Sequence, residues 1–86
     1  MIVCFSEIGW QDYLSWQRQD KKVLKRINEL IKDIKRNPKN KHGLGKSEIL
    51  KGDLSGYYSR RITREHGLVY IIKQDRLIIA QCRFHY

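Results

Sequence analysis

Acidic side chains are scarce in this sequence: nine Asp and Glu stand against eighteen Lys and Arg, giving 86 residues a formal charge of +9 and a pI near 9.8. A balance this one-sided passes the usual threshold for expecting a nucleic-acid partner. Cysteine is as sparse. Cys4 and Cys82 are too few for a disulfide framework, and neither they nor the histidines His42, His66 and His85 show the paired spacing of a zinc site. Neither a metal nor any other cofactor is expected. No apolar run approaches the length of a membrane span. The opening Met-Ile-Val-Cys-Phe-Ser-Glu also lacks the basic start, long apolar stretch and small-residue cleavage site of a secretory signal. The expectation is a cytoplasmic protein with no membrane partner. Internal repeats and low-complexity segments are absent, and the length suits one compact domain over residues 1–86.

The positive charge is concentrated. Residues 21–46 hold ten basic side chains and two acidic ones, Glu29 and Asp33. Before that segment, a short apolar strand over residues 1–5 leads to Ser6, a helix N-cap with Glu7 in the first turn. Ile8, Tyr13 and Leu14, with Trp10 and Trp16, recur at helical spacing to about Gln19. Aromatic residues so spaced are core or partner contacts far more often than a base-stacking surface. Asp20 caps a second helix whose apolar positions Val23, Leu24, Ile27, Leu30, Ile31 and Ile34 form one buried stripe, and Asn37 before Pro38 stops it. With almost no linker between them, the two helices form a hairpin packed on one face of a sheet. The lysine-rich face opposite is either a solvated surface or a contact for a phosphate backbone.

Residues 39–46 read as a polar, glycine-containing loop whose spacing is not that of a phosphate-binding P-loop. An edge-like segment over 47–51 and a Gly52-Asp53 turn follow. Strand signals then cover 57–63, 68–73 and 76–82. The predicted class is α+β, with an antiparallel meander carrying the helical hairpin on one side. Within residues 54–70, Arg60, Arg61 and Arg64 lie close enough to repel one another. They read either as an anion site or as a solvated edge that keeps a strand soluble. Period-two alternation sends Tyr58, Arg60 and Ile62 one way and Tyr57, Ser59, Arg61 and Thr63 the other. Ile62 marks the core side, so Arg61 is the better candidate to meet a ligand. The tail, residues 83–86, follows the last strand directly and would lie near the arginine-bearing strands.

Four segments carry a family resemblance: Asp-Tyr-Leu-x-Trp-Gln at 12–17, Lys-x-Ile-Asn-Glu-Leu-Ile-Lys-Asp at 25–33, Leu-Ser-Gly-x-x-Ser-Arg-Arg-Ile-Thr at 54–63, and the terminal Cys-Arg-Phe-His-Tyr. Together they resemble the YoeB/Txe toxins of the RelE superfamily. That resemblance implies a RelE-like, microbial-ribonuclease-like α+β fold: an N-terminal strand and a two-helix hairpin on a mostly antiparallel sheet of four to five strands. It implies a toxin that cleaves messenger RNA in the ribosomal A site, is neutralised by a YefM-like antitoxin, meets operator DNA through that antitoxin, and forms a homodimer. Carried over residue by residue, Glu48 matches the general base that takes the ribose 2′-hydroxyl proton. His85 matches the general acid, and Tyr86 the terminal tyrosine that helps place the substrate. Lys51 and Arg61 would stabilise the phosphorane or bind neighbouring phosphates, with Arg60 and Arg83 as further RNA contacts. Such a division suits the chemistry, since histidine titrates near neutrality and cations stabilise charge building on phosphorus.

One position departs from the family. Where it has His-Arg-Leu-Val-Tyr, this chain has His66-Gly67-Leu68-Val69-Tyr70, and the missing arginine is the one assigned to transition-state stabilisation. Losing such a donor lowers the rate by roughly two to three orders of magnitude. Three readings stay open: compensation by Arg61 or Arg64, an attenuated toxin, or a ribosome-binding or antitoxin-dependent co-repressor module that cuts little. A general RNA-binding domain is the remaining alternative.

Overall fold

The structure, a computed structural model, describes residues 1–39 and 43–84. Chain order is strand β1 (Ile2–Phe5), helix α1 (Glu7–Gln19), helix α2 (Lys21–Arg36), strand β2 (Glu48–Ile49), a 3-10 turn (Gly52–Leu54), then strands β3 (Tyr58–Arg61), β4 (Gly67–Lys73) and β5 (Arg76–Gln81). They form one five-stranded sheet in the order β1-β5-β4-β3-β2. β1 lies parallel to β5, and every other pair is antiparallel. The expected α+β architecture is therefore the one found, with the hairpin and meander in the order the sequence predicts. Among the described residues, no helix is long and apolar enough to cross a membrane.

Local chemistry sets each corner. The Ser6 hydroxyl accepts the Gly9 N–H at 3.0 Å, capping α1, and donates to the Ala80 carbonyl at 2.7 Å, which ties the helix start to β5. Asp20 ends one helix and begins the next: its N–H reaches the Trp16 carbonyl, while its carboxylate accepts the N–H groups of Lys22 and Val23. Lys35 and Arg36 in the last turn of α2 suit the negative end of its dipole.

Of the predicted stripe on α2, Val23, Ile27, Leu30 and Ile34 are buried, and Leu24 and Ile31 pack at its margin. Burying each of these aliphatic side chains stabilises the fold by roughly 1.5–3 kcal/mol. They meet Leu68, Tyr70, Leu77 and Ile79 from the sheet and Ile62 just past β3.

Helix α1 packs differently from its apolar pattern. Ile8 is 62% exposed and Trp10 46%, because the face turned to the sheet runs through Gly9, Asp12, Tyr13 and Trp16, at i, i+3, i+4 and i+7. Gly9 is the closest approach, since a Cβ there would collide with the Ile79 carbonyl oxygen. The Asp12 carboxylate accepts the Cys82 N–H at 3.0 Å, and the Trp16 indole N–H donates to the Cys82 carbonyl at 2.9 Å. Two of the four contact positions are thus not apolar. Burial, reinforced by the Asp12 carboxylate, pushes the Cys82 thiol up to about 12, which makes it a packing group rather than a nucleophile.

Candidate active site

Arg60 and Arg61 are neighbours in sequence with opposite environments. Alternation along β3 turns Arg60 into the core, where it is fully buried. Its Nη1 donates to Asp33 Oδ2 at 2.6 Å and to the Leu44 carbonyl at 2.8 Å, and its Nε reaches the Tyr70 hydroxyl at 3.4 Å. Burial opposes the charged guanidinium, but the bonds to Asp33 and Tyr70 outweigh it and raise the pKa of Arg60 above its ordinary value. The same hydrogen bond holds the Asp33 carboxyl below the usual carboxylate range, partial desolvation opposing it and the Leu44 N–H assisting. Arg60 is therefore removed from the candidate RNA contacts: its side chain holds α2 and the loop before β2 together inside the protein.

Arg61 faces outward, into a cleft of about 470 Å³. Glu48 on β2 and Ser59 on β3 are cross-strand partners, as are Arg61 and Gly67 at the start of β4. The Arg61 N–H bonds to the Gly45 carbonyl and the Gly67 N–H to the Phe84 carbonyl, outside the β3–β4 ladder. Arg61 and Gly67 are thus a non-hydrogen-bonded pair, the kind whose opposed residues stand closest, with Cα atoms about 4.5 Å apart. Gly45 and Lys46 close one side of the cleft, Arg26 enters it from α2, and His66 completes the wall beside Gly67. Gly45 sits at φ +78° with Arg61 backbone against it, so a Cβ would come within 2.9 Å of the Arg61 oxygen. Only glycine fits there without moving the strand. The Arg26 Nη2 donates to the Arg61 carbonyl at 3.4 Å.

The wall beside Gly67 is joined to the chain's last described residue. His66 Nδ1 accepts the Phe84 N–H at 2.6 Å, and its ring meets Trp16 edge-on at 4.8 Å and Phe84 at 5.4 Å. With Gly67 N–H on the Phe84 carbonyl at 3.2 Å, both backbone polar groups of Phe84 are engaged by consecutive residues. Phe84 needs that hold, because its φ of +63° is unfavourable for a residue with a Cβ.

The predicted site residues therefore separate. Glu48, Arg61 and Gly67 line one cleft. Lys51 is exposed, next to the 3-10 turn and outside the cleft lining. Arg83 also falls outside it and faces α1: Nη1 donates to Ser15 at 2.8 Å, Nη2 to Gln19 at 2.7 Å, and the guanidinium lies 4.4 Å over Trp16. Its guanidinium thereby links the end of the last strand to α1. Arg64 is in the β3–β4 turn, also outside the lining. His85 and Tyr86 lie outside the described residues. Arg26, Lys46 and His66 were not singled out by the sequence. Alternation assigns faces within a strand but says nothing of a helix or loop that reaches around its edge. Three cations, a carboxylate and an imidazole round one open cleft can seat an anion and exchange protons with it.

Residues 5–86 match the family model described as YoeB-like toxin of bacterial type II toxin-antitoxin system. The chain is 56% identical to the toxin YoeB of Escherichia coli strain K12 over 86 residues, covering all of both. It superposes on a chain of the YoeB-YefM complex from Staphylococcus aureus with a TM-score of 0.90 at 46% identity, covering 100% of this chain and 98% of that one. Against the YoeB dimer from the same organism the TM-score is 0.91 at 48% identity, with the same coverage.

Proposed function

This chain belongs to the YoeB-like toxins of bacterial type II toxin-antitoxin systems, and on that premise we propose that it is a ribosome-dependent endoribonuclease cutting messenger RNA in the A site. The observation that carries the reading is the grouping of Glu48, Arg61 and position 67 round one cleft. Glu48 takes the proton of the ribose 2′-hydroxyl, and the freed oxygen attacks the adjacent phosphorus. As that bond forms, the bond to the 5′ oxygen breaks, leaving a 2′,3′-cyclic phosphate, and His85 protonates the departing oxygen. Arg61 balances the charge on the phosphorane, and Tyr86 helps place the substrate. Support for His85 comes from its chain neighbour, because Phe84 is bonded through N–H and C=O to His66 and Gly67 at the cleft wall.

The partners follow from the same premise. A YefM-like antitoxin, a second copy of the toxin and, through the antitoxin, operator DNA are proposed, in keeping with the solved YoeB-YefM complex and YoeB dimer. The work is done on ribosomes in the cytoplasm, by the chain as one domain. Gly67 favours a second reading, in which the protein occupies the A site or serves as co-repressor and cuts little.

Primer extension on translated messages tests the first reading. Gly67→Arg should give strong A-site cleavage, and a folded Gly67→Arg protein that leaves messages intact would rule out the ribonuclease assignment. Growth inhibition that survives both Glu48→Gln and His85→Gln would favour occupancy over cutting.

A further inference from the structure

We propose that Arg26, entering the cleft from α2, supplies the phosphate-facing cation that Gly67 lacks, so that the charge is relocated rather than lost. The proposal rests on the ribonuclease reading of the cleft. Arg26 flanks the buried stripe next to Ile27 and is itself half-buried, so its stem is supported while its head reaches the cleft. The guanidinium touches the Arg61 carbonyl at 3.4 Å, a long bond that uses one of its five donors. Among the described residues no carboxylate forms an ion pair with it.

Arg61 is thus flanked from two directions: Arg26 sits on its carbonyl, and Gly67 stands opposite it across the ladder. A phosphate bound by Arg61 is within reach of a cation from either side, and at position 67 there is no side chain to supply one. Other arginines are poor substitutes. Arg60 is buried against Asp33, Arg83 is bonded to Ser15 and Gln19, and Arg64 lies outside the cleft lining.

A cycle of four proteins tests this: the native chain, Arg26→Gln, Gly67→Arg and the double variant, each assayed for single-turnover A-site cleavage on programmed ribosomes. Arg26→Gln should slow the native chain by on the order of tenfold to hundredfold, and Arg26→Lys should recover part of that loss. In the Gly67→Arg background the loss from Arg26→Gln should be several-fold smaller. Equal losses in both backgrounds would overturn the proposal, as would a native chain that does not cut while Gly67→Arg does. Matching thermal midpoints separate these outcomes from unfolding, and if Arg26→Gln does not fold, Arg26→Met replaces it in the same cycle. Silence in all four folded proteins refutes the ribonuclease reading itself, and the role of Arg26 with it.

Discussion

Replacing Arg60 with methionine keeps an apolar stem and removes the buried guanidinium. Asp33 then loses its cation, and the Leu44 carbonyl and Tyr70 hydroxyl lose a donor. Removing one partner of a buried ion pair costs about 3–5 kcal/mol. The Asp33 side chain keeps 27% of its exposure, so water can relieve part of the stranded charge, and about 2–3 kcal/mol is the expected loss. In a chain of this size each 1 kcal/mol moves the midpoint by about 4–8 °C, which puts the fall at roughly 10–20 °C. Urea titration followed by circular dichroism gives the free energy directly. The pH dependence supplies a second handle. Asp33 titrates below its ordinary 3.8 in the folded state, so its contribution is complete above that value and is lost as pH falls through the lowered one. The gap between native and Arg60→Met must therefore shrink on acidification below about pH 4. A gap under about 0.5 kcal/mol at pH 7, or one that widens with acid, would refute the role given to the pair.

Gly9→Ala tests the close approach of α1 to β5. Alanine in an exposed helix stabilises by about 1 kcal/mol relative to glycine, but here its Cβ meets the Ile79 carbonyl and a net loss of about 1–3 kcal/mol is expected; a higher urea midpoint would contradict it. His66→Phe keeps a ring beside Trp16 and removes the acceptor for the Phe84 N–H. Hydrogen exchange at the Phe84 amide should quicken by roughly tenfold, the equivalent of one hydrogen bond, and an unchanged rate would show that His66 does not hold the tail.

How much of this was legible in sequence depends on the element. Helix α2 was readable because its buried positions are aliphatic and evenly spaced, with Asp20 and Asn37-Pro38 marking its ends. Helix α1 was readable as a helix but not in its orientation, since its contact face contains Gly9 and Asp12, and hydropathy assigns neither to an interior. Just past the end of β3, Ile62 was enough to separate Arg60 from Arg61. Counting Arg60 among RNA contacts gave weight to its charge over its parity. Arg26 could not be assigned to the cleft because it arrives from α2, distant in sequence, and Lys46 because it stands in the loop before β2, where alternation assigns no face.

Adjacent arginines with opposite duties make the register of β3 critical to the site. A slip of one residue would exchange the faces, pulling Arg60 away from Asp33 and turning the cleft's Arg61 inward. Three independent features resist that slip. Ile62 is buried, and would be replaced in the core by Thr63. Asp33 on α2 forms its ion pair at Arg60. The Gly45 carbonyl accepts the Arg61 N–H at 3.0 Å, fixing the loop before β2 to that residue. The ion pair is the most selective of these, because its bond to the Leu44 carbonyl ties strand, helix and loop at one atom, Arg60 Nη1. Arg60 thus contributes to the cleft without entering it, by holding Arg61 opposite Gly67 and within reach of Arg26.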